Sequence, residues 1–384
     1  MPTSKLKNAL YRFILPFSKT KSGSSPLSGV YGHGITYPTS FQRLIRRHHI
    51  LGSATLIESG NQTSVLCTSS ATPFRSALPD SFFRVASITK SAAALVTLRL
   101  ADLNILSIDE PVSRYLHPFY TENSLDGITL RHLLSHTSGL IDPAGLESSL
   151  ENGLPFTVFL DKARHFPAGH SFHYSNLGYG LIGCVLEAVL NHPVSTIFND
   201  YLFGPLNMNA TLEGCTLSRD RIVPVSRVLP YHKGHDMLLT KLGSERLTEP
   251  DPLRHYGHTA GSMYIDIMSL QTMYHVLMRN ESGFLSLHAL SEMKTEHAYY
   301  GKISPSLSYG LGLLIIRDPA LSEGRILGHQ GFAYGCVDGA FWEENTGRLL
   351  ITLNGGCSEA RSGRLGLSNR DLMHWAFRKE LPSW

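Results

Sequence analysis

The run Ser91 to Leu103 is too apolar all round to lie on a surface as a helix, so it predicts a helix through the interior of whatever this chain folds into. At its entrance stands Ser87-Ile-Thr-Lys90, preceded by the strand-like run Phe82 to Ala86. Residues three apart share one helix face, so the Ser87 hydroxyl and the Lys90 amine can meet. A hydroxyl beside an amine is a nucleophile beside its base, provided that burial and like charge bring the amine from about 10.4 down to roughly 7 or 8, at a cost of about 3 to 5 kcal/mol. A helix start also offers its positive end and free backbone N–H groups to a developing oxyanion. Ser4/Lys7, Ser18/Lys21 and Ser291/Lys294 share the spacing. The first two lie in an unpatterned basic segment, and the third stands beside Glu292 and Glu296 on what reads as a solvated helix face. A serine that only caps a helix and a lysine that only faces solvent would give the same string.

The 384 residues, 42% hydrophobic and 17% charged, suffice for a large core in one domain or two intermixed ones. A net charge of +3 with dispersed basic residues gives no reason to expect a nucleic-acid partner. The one basic excess, Lys5, Lys7, Arg12, Lys19 and Lys21, surrounds Ala9 to Phe17, which is too short and interrupted to span a membrane and lacks the marks of a signal peptide. Residues 1–40 therefore read as a mobile leader ahead of one domain over 41–384, and no integral membrane segment is expected. Cys67, Cys184, Cys215, Cys336 and Cys357 are odd in number and widely spaced, which argues against a disulfide framework or zinc site and for a reducing, cytoplasmic setting. The 19 histidines include pairs such as His132/His136 and His255/His258, but no His-Glu-x-x-His, so no metal and no cofactor are expected.

Gly52 to Glu58 and Thr63 to Cys67 read as strands about a Gly60-Asn61 turn. Leu130 to Leu134, Leu177 to Leu190 and Val194 to Leu202 have helical patterns, as do Asp266 to Met278, with Asp266 as cap, and Ser286 to His297. Tyr309 to Arg317 reads as a strand, Cys336 to Phe341 with Leu349 to Asn354 as a hairpin, and Asn369 to Lys379 as a closing helix. Strands at both ends with helices between them predict an α/β (α+β) fold: an antiparallel sheet flanked by helices, built from N- and C-terminal parts, with a mostly helical insertion over roughly 104–255.

Two further constellations carry chemistry. Tyr174-Ser175-Asn176 follows a Pro- and Gly-containing loop and opens an apolar helix; its phenol can share a proton with Lys90 and its amide can bond a substrate carbonyl, or the pair can simply pack and cap. His329-Gln330-Gly331 lies between strand-like runs, with Gly328 and Gly331 allowing close backbone approach, although His232-Lys233-Gly234 and His255-Tyr256-Gly257 match as strings.

The order and context of these motifs resemble the serine β-lactamase and penicillin-binding protein superfamily, in its class C β-lactamase-related branch of DD-peptidases and esterases. Asp109 to Leu116, Ile128 to Leu140, Pro205 to Met208 and Tyr309 to Gly312 extend the likeness, which spans residues 48–356. The resemblance implies a β-lactamase/transpeptidase-like fold and a hydrolase in which Ser87 forms an acyl-enzyme while Lys90 and Tyr174 move the proton. It leaves open which of the two is the base. It also implies that Asn176 orients the acyl group, that His329, Gly331 and Phe332 border the substrate, and that the Ser87 and Phe332 N–H groups form the oxyanion hole. Where many relatives carry a lysine for the substrate carboxylate this chain has His329, mostly neutral at pH 7, which shifts the expectation toward an esterase or a peptidase, such as a D-amino acid peptidase, without that anchor, with weak β-lactamase-like turnover as a further alternative. The expected partner is a small ester, amide or peptide substrate. The rivals are a β-lactam- or peptide-binding sensor that is acylated without turnover, and a metal-dependent hydrolase.

Overall fold

The computed structural model describes residues 27–31, 39–68, 77–120, 123–227, 233–235 and 240–378. In chain order the main elements are strand β1 (Leu27–Tyr31), helix α1 (Thr39–Arg47), strands β2 (Leu51–Ser59) and β3 (Gln62–Thr68), and helices α2 (Thr89–Asp102), α3 (Asn176–Leu190), α4 (Ile267–Met278) and α5 (Leu287–Lys294). Strands β4 (Ala298–Tyr299), β5 (Leu307–Tyr309), β6 (Leu314–Ile316), β7 (Ile326–Ala333), β8 (Cys336–Glu343) and β9 (Leu349–Gly356) follow, and helix α6 (Leu367–Arg378) closes the described chain.

Nine strands form one antiparallel sheet in the order β1-β3-β2-β9-β8-β7-β6-β5-β4. The seam between chain ends is the β2–β9 pair, in register from Leu51 opposite Gly356 to Glu58 opposite Leu349. Side chains alternate between faces with the period of two that a strand imposes. Ala54, Leu56, Ala340, Trp342, Leu349 and Ile351 enter the larger core with α2, α3 and α4. Ile57, Val337, Phe341 and Leu350 enter a second core with Phe41 and Ile45 of α1 and Leu372, Met373 and Trp375 of α6. Burial on both faces explains why β8 and β9 are buried at every position. Between residues 104 and 255 the described chain is mostly short helices, with small strands such as Ala210–Thr211. Helix α2 runs through the larger core, buried from Thr89 to Leu98.

Several elements differ from the sequence expectation. The segment Ala9 to Phe17 lies outside the described residues, but β1, inside the stretch read as a leader, pairs with β3 and satisfies the edge of the sheet. Tyr309 to Arg317 is not one strand: Tyr309 ends β5 and Leu314–Ile316 is β6, the two paired as a hairpin whose turn includes Gly312 at φ +76°. In the run Phe82 to Ala86 only Phe83–Arg84 is strand. The helix at Val194 ends at Phe198 in a π turn over Asn199–Phe203. Caps at Asp266 and Ser286 fall at the N-termini of α4 and α5, accepting from the N–H groups of Ser269 and Ala289. Among the described residues no single helix is long and apolar enough to cross a membrane.

Gly312 sits where an added Cβ would lie 2.4 Å from the Ala94 Cβ and 3.1 Å from the Lys90 carbonyl oxygen. Gly312→Ala is therefore expected to destabilise the fold by about 2 kcal/mol or more through overpacking and left-handed strain. Urea unfolding measures this; an unchanged midpoint would contradict the tight hairpin–helix contact.

Candidate active site

The entrance to α2 is a sharp turn held on three sides. The Val85 N–H donates to the Met263 carbonyl at 3.0 Å. Ala86 then adopts the left-handed region, φ +45°, which disfavours a residue with a Cβ by roughly 1 to 2 kcal/mol. The Thr89 hydroxyl secures the strained turn: it donates to the Ala86 carbonyl at 2.6 Å and accepts the Met263 N–H at 3.1 Å. The result is that Ser87 is the only residue between Ser81 and Leu98 that is not buried.

One turn on, Lys90 is fully buried. Its Nζ lies 3.1 Å from Ser87 Oγ, 2.9 Å from Asn176 Oδ1 and 2.6 Å from the Ala260 carbonyl. The Ala260 oxygen can only accept. The orientation of the Asn176 amide is fixed too, because its Nδ2 donates to Asp142 Oδ2 at 2.8 Å and so turns Oδ1 toward Lys90. A neutral amine has two N–H groups and one lone pair. With both N–H groups committed to acceptors, the lone pair is left for the Ser87 O–H. Burial holds Lys90 down to about 7, with the Asp142 carboxylate opposing and Arg84 adding to the shift.

Tyr174 approaches from the other side, its ring 5.0 Å from Lys90 Nζ. Burial pushes its phenol up, opposed by the facing Ser87 hydroxyl and by Arg361, so the phenol stays protonated at neutral pH. Asp142 ties down the segment that carries it: the carboxylate accepts from Ser175 Oγ at 2.9 Å, Asn176 Nδ2, and the Leu177 N–H at 3.0 Å. Ser175, not Asn176, is the N-cap of α3, accepting the Gly178 N–H at 3.0 Å. The Asn176 side chain is thereby free to reach Lys90.

His329 is buried, and both its ring nitrogens are occupied. Nδ1 donates to the Gln330 carbonyl and Nε2 accepts from the Tyr309 hydroxyl, each at 2.8 Å. Burial and the nearby Lys90 lower it to about 3, so the ring is neutral. Gly331 brings β7 against the turn that carries Ser87: a Cβ there would lie 2.3 Å from the Val85 carbonyl oxygen. That contact sets the backbone at Phe332 close to the one that carries Ser87. The Phe332 ring lies 3.9 Å from the guanidinium of half-buried Arg361, on the small hairpin Arg361–Ser362 with Leu365–Gly366.

Ser87, Lys90, Tyr174 and Asn176 thus meet at one place, with the Gly331 backbone against the turn that carries Ser87, while His329 is bonded to Tyr309. Sequence reasoning missed Asp142, Ala260, Tyr309 and Arg361. Ala260 acts through its backbone, which leaves no side-chain signal, and Asp142 caps a helix that begins 34 positions later. Among the described residues no group of three or more His, Cys, Asp and Glu side chains is arranged to hold a metal ion.

Comparison with known proteins gives the family and the fold. A family model described as Beta-lactamase matches residues 39–347. A penicillin-binding protein of Bacillus subtilis is 25% identical over 315 residues, covering 76% of this chain and 65% of that protein, so the chain spans less than two thirds of that relative. Esterase EstB of Burkholderia gladioli is 26% identical over 345 residues, covering 77% of this chain and 82% of the esterase. Among solved structures, a D-stereospecific amidohydrolase from Streptomyces superposes with a TM-score of 0.62 at 24% identity, over 81% of this chain and 92% of the other, a likeness of fold.

Asp142→Ala removes three hydrogen bonds from the start of α3. A loss of about 2 to 4 kcal/mol in urea unfolding is expected. A loss below about 0.5 kcal/mol, the scale of an ordinary surface change, would show that the carboxylate does not hold this segment.

Proposed function

The chain belongs to the beta-lactamase family, and from that membership we propose that it is a cofactor-free serine hydrolase acting on an ester or amide through an acyl-Ser87 intermediate. The observation that carries the reading is a buried Lys90 amine 3.1 Å from Ser87 Oγ, whose two other partners, Asn176 Oδ1 and the Ala260 carbonyl, are acceptors. Lys90 takes the Ser87 proton as Oγ bonds to the substrate carbonyl carbon, and the carbonyl oxygen gains the charge. Both protonation states of Lys90 use the same three oxygens, so the transfer needs no rearrangement. Collapse of the intermediate breaks the bond to the leaving alcohol or amine. Tyr174, neutral and beside both groups, relays a proton to it and regains one from Lys90. Water then attacks the acyl carbon, giving a proton to Lys90; the bond from the acyl carbon to Oγ breaks, Lys90 returns that proton to Ser87, and the acid leaves.

The oxyanion is assigned to the backbone N–H groups of Ser87 and Phe332, and acyl orientation to Asn176. Because His329 is neutral and engaged with Tyr309, it supplies no fixed cation for a substrate carboxylate, which favours a simple ester or amide. The relative from Burkholderia is named as an esterase and the Streptomyces neighbour as a D-stereospecific amidohydrolase, and both chemistries fit an acyl-serine route. Five free thiols favour a reducing, cytoplasmic compartment.

Intact-mass analysis after incubation with a panel of small esters, D-amino acid amides and β-lactams should give an acyl adduct that Ser87→Ala abolishes. An adduct and ester turnover undiminished in that variant would end the reading. Acylation should rise with pH through a midpoint near 7, since only the neutral amine accepts a proton and Lys90 is held down to about 7. A profile flat from pH 5 to 9, or parent-like acylation by Lys90→Ala, would remove Lys90 from the base role.

A further inference from the structure

His136, just after the short helix Leu130–Leu134, has no part in the chemistry above, yet it touches the Tyr174 segment three times. Its carbonyl accepts the His173 N–H at 2.8 Å. Its Nδ1 accepts the Ser175 N–H at 3.2 Å, so the backbone is held on both sides of Tyr174. Its ring lies against the Tyr174 ring with centroids 4.2 Å apart. The backbone of His136 is itself left-handed, φ +58°, a conformation that only a few side chains tolerate.

From these contacts we propose that His136 is a positioning residue for Tyr174, holding the phenol toward Ser87 through an imidazole fixed in one tautomer. The proposal rests on the assignment of Tyr174 to the proton relay. Because Nδ1 accepts a backbone N–H, the ring proton is on Nε2. That atom is buried without a hydrogen-bond partner. Its surroundings are aromatic: Tyr179 and Tyr309 stand at 4.8 Å and Phe172 at 5.7 Å, faces that can receive an N–H only weakly. Protonation would put a donor at Nδ1 facing the Ser175 donor and break the bond that places the segment. The titratable groups around the ring are Tyr174, Tyr179, Tyr309, Lys90 and His329. Burial, together with Lys90 and His329, keeps the imidazole neutral.

Two substitutions separate the acceptor from the ring. His136→Phe keeps a stacked ring and loses the acceptor, whereas His136→Asn keeps an acceptor at the Nδ1 position and suits a left-handed backbone. With p-nitrophenyl butyrate as probe, His136→Phe should lower kcat by about ten- to a hundredfold with KM within about twofold, since a relay group displaced by an ångström loses rate rather than binding. His136→Asn should recover most of that loss. In a Tyr174→Phe background the His136→Phe change should cost little more, because both act through one phenol. A folded His136→Phe protein with parent-like kcat, equal losses in the Asn and Phe variants, or losses that multiply with Tyr174→Phe would each overturn the proposal. So would nitrogen NMR of the parent protein showing the His136 proton on Nδ1, a measurement that stands even if a variant does not fold. Loss of the underlying reading is distinguishable, because it appears as parent-like turnover in Tyr174→Phe alone.

Discussion

The burial of one amine governs this structure. Holding Lys90 at about 7 instead of its ordinary 10.5 corresponds to about 5 kcal/mol disfavouring the ammonium, a substantial fraction of what a domain has in hand. The cost is sustained only because the neutral amine is satisfied where it sits, by an amide oxygen from α3, a carbonyl from the turn His258–Gly261 and a hydroxyl from the turn before α2. Three parts of the chain separated by 86 and 170 positions must close on one nitrogen. The fold is the device that closes them.

The nine-stranded sheet does so indirectly. Its N- and C-terminal strands zip together at β2–β9 and present one face to α2, so the turn that carries Ser87 is pinned between the helical region and β7. At Gly331 the two backbones touch with no room for a side chain. Close approach there, the left-handed Ala86, and the Thr89 hydroxyl that binds both neighbours belong to one device: a tight turn that exposes a single serine while its surroundings stay dry.

Local features were legible in the sequence. A serine and a lysine one turn apart, an all-apolar helix behind them, and the cap at Asp266 follow from short-range geometry, and the strand patterns at both ends were enough to show that one sheet joins the two ends of the chain, though not its full set of strands. Tyr174 and Asn176 were legible as a string but not as a position. What puts them in place is Asp142, far away in sequence, and the left-handed His136, whose role depends on which nitrogen carries its proton. A backbone carbonyl such as that of Ala260 has no residue-type signal at all. The split of Tyr309 to Arg317 into two strands escaped periodicity because both halves are apolar, and only the backbone of Gly312 marks the reversal.

Burial also explains why a lysine, among the ionisable side chains crowded here, is suited to proton transfer near neutral pH. Desolvation disfavours the charged form of every group. For His136 and His329, whose ordinary value is already below 7, it moves the titration further down and leaves neutral rings. For Tyr174, Tyr179 and Tyr309 it moves the titration up and leaves neutral phenols. An amine alone starts above 7 and is pushed downward, so the same dry surroundings that keep five neighbours neutral bring the titration of Lys90 to about 7. A second lysine in place of His329 would add a cation beside Lys90 and lower it further. The neutral imidazole, bonded to Tyr309, leaves Lys90 as the group that titrates near 7 beside the serine, with the neutral Tyr174 phenol facing the same hydroxyl.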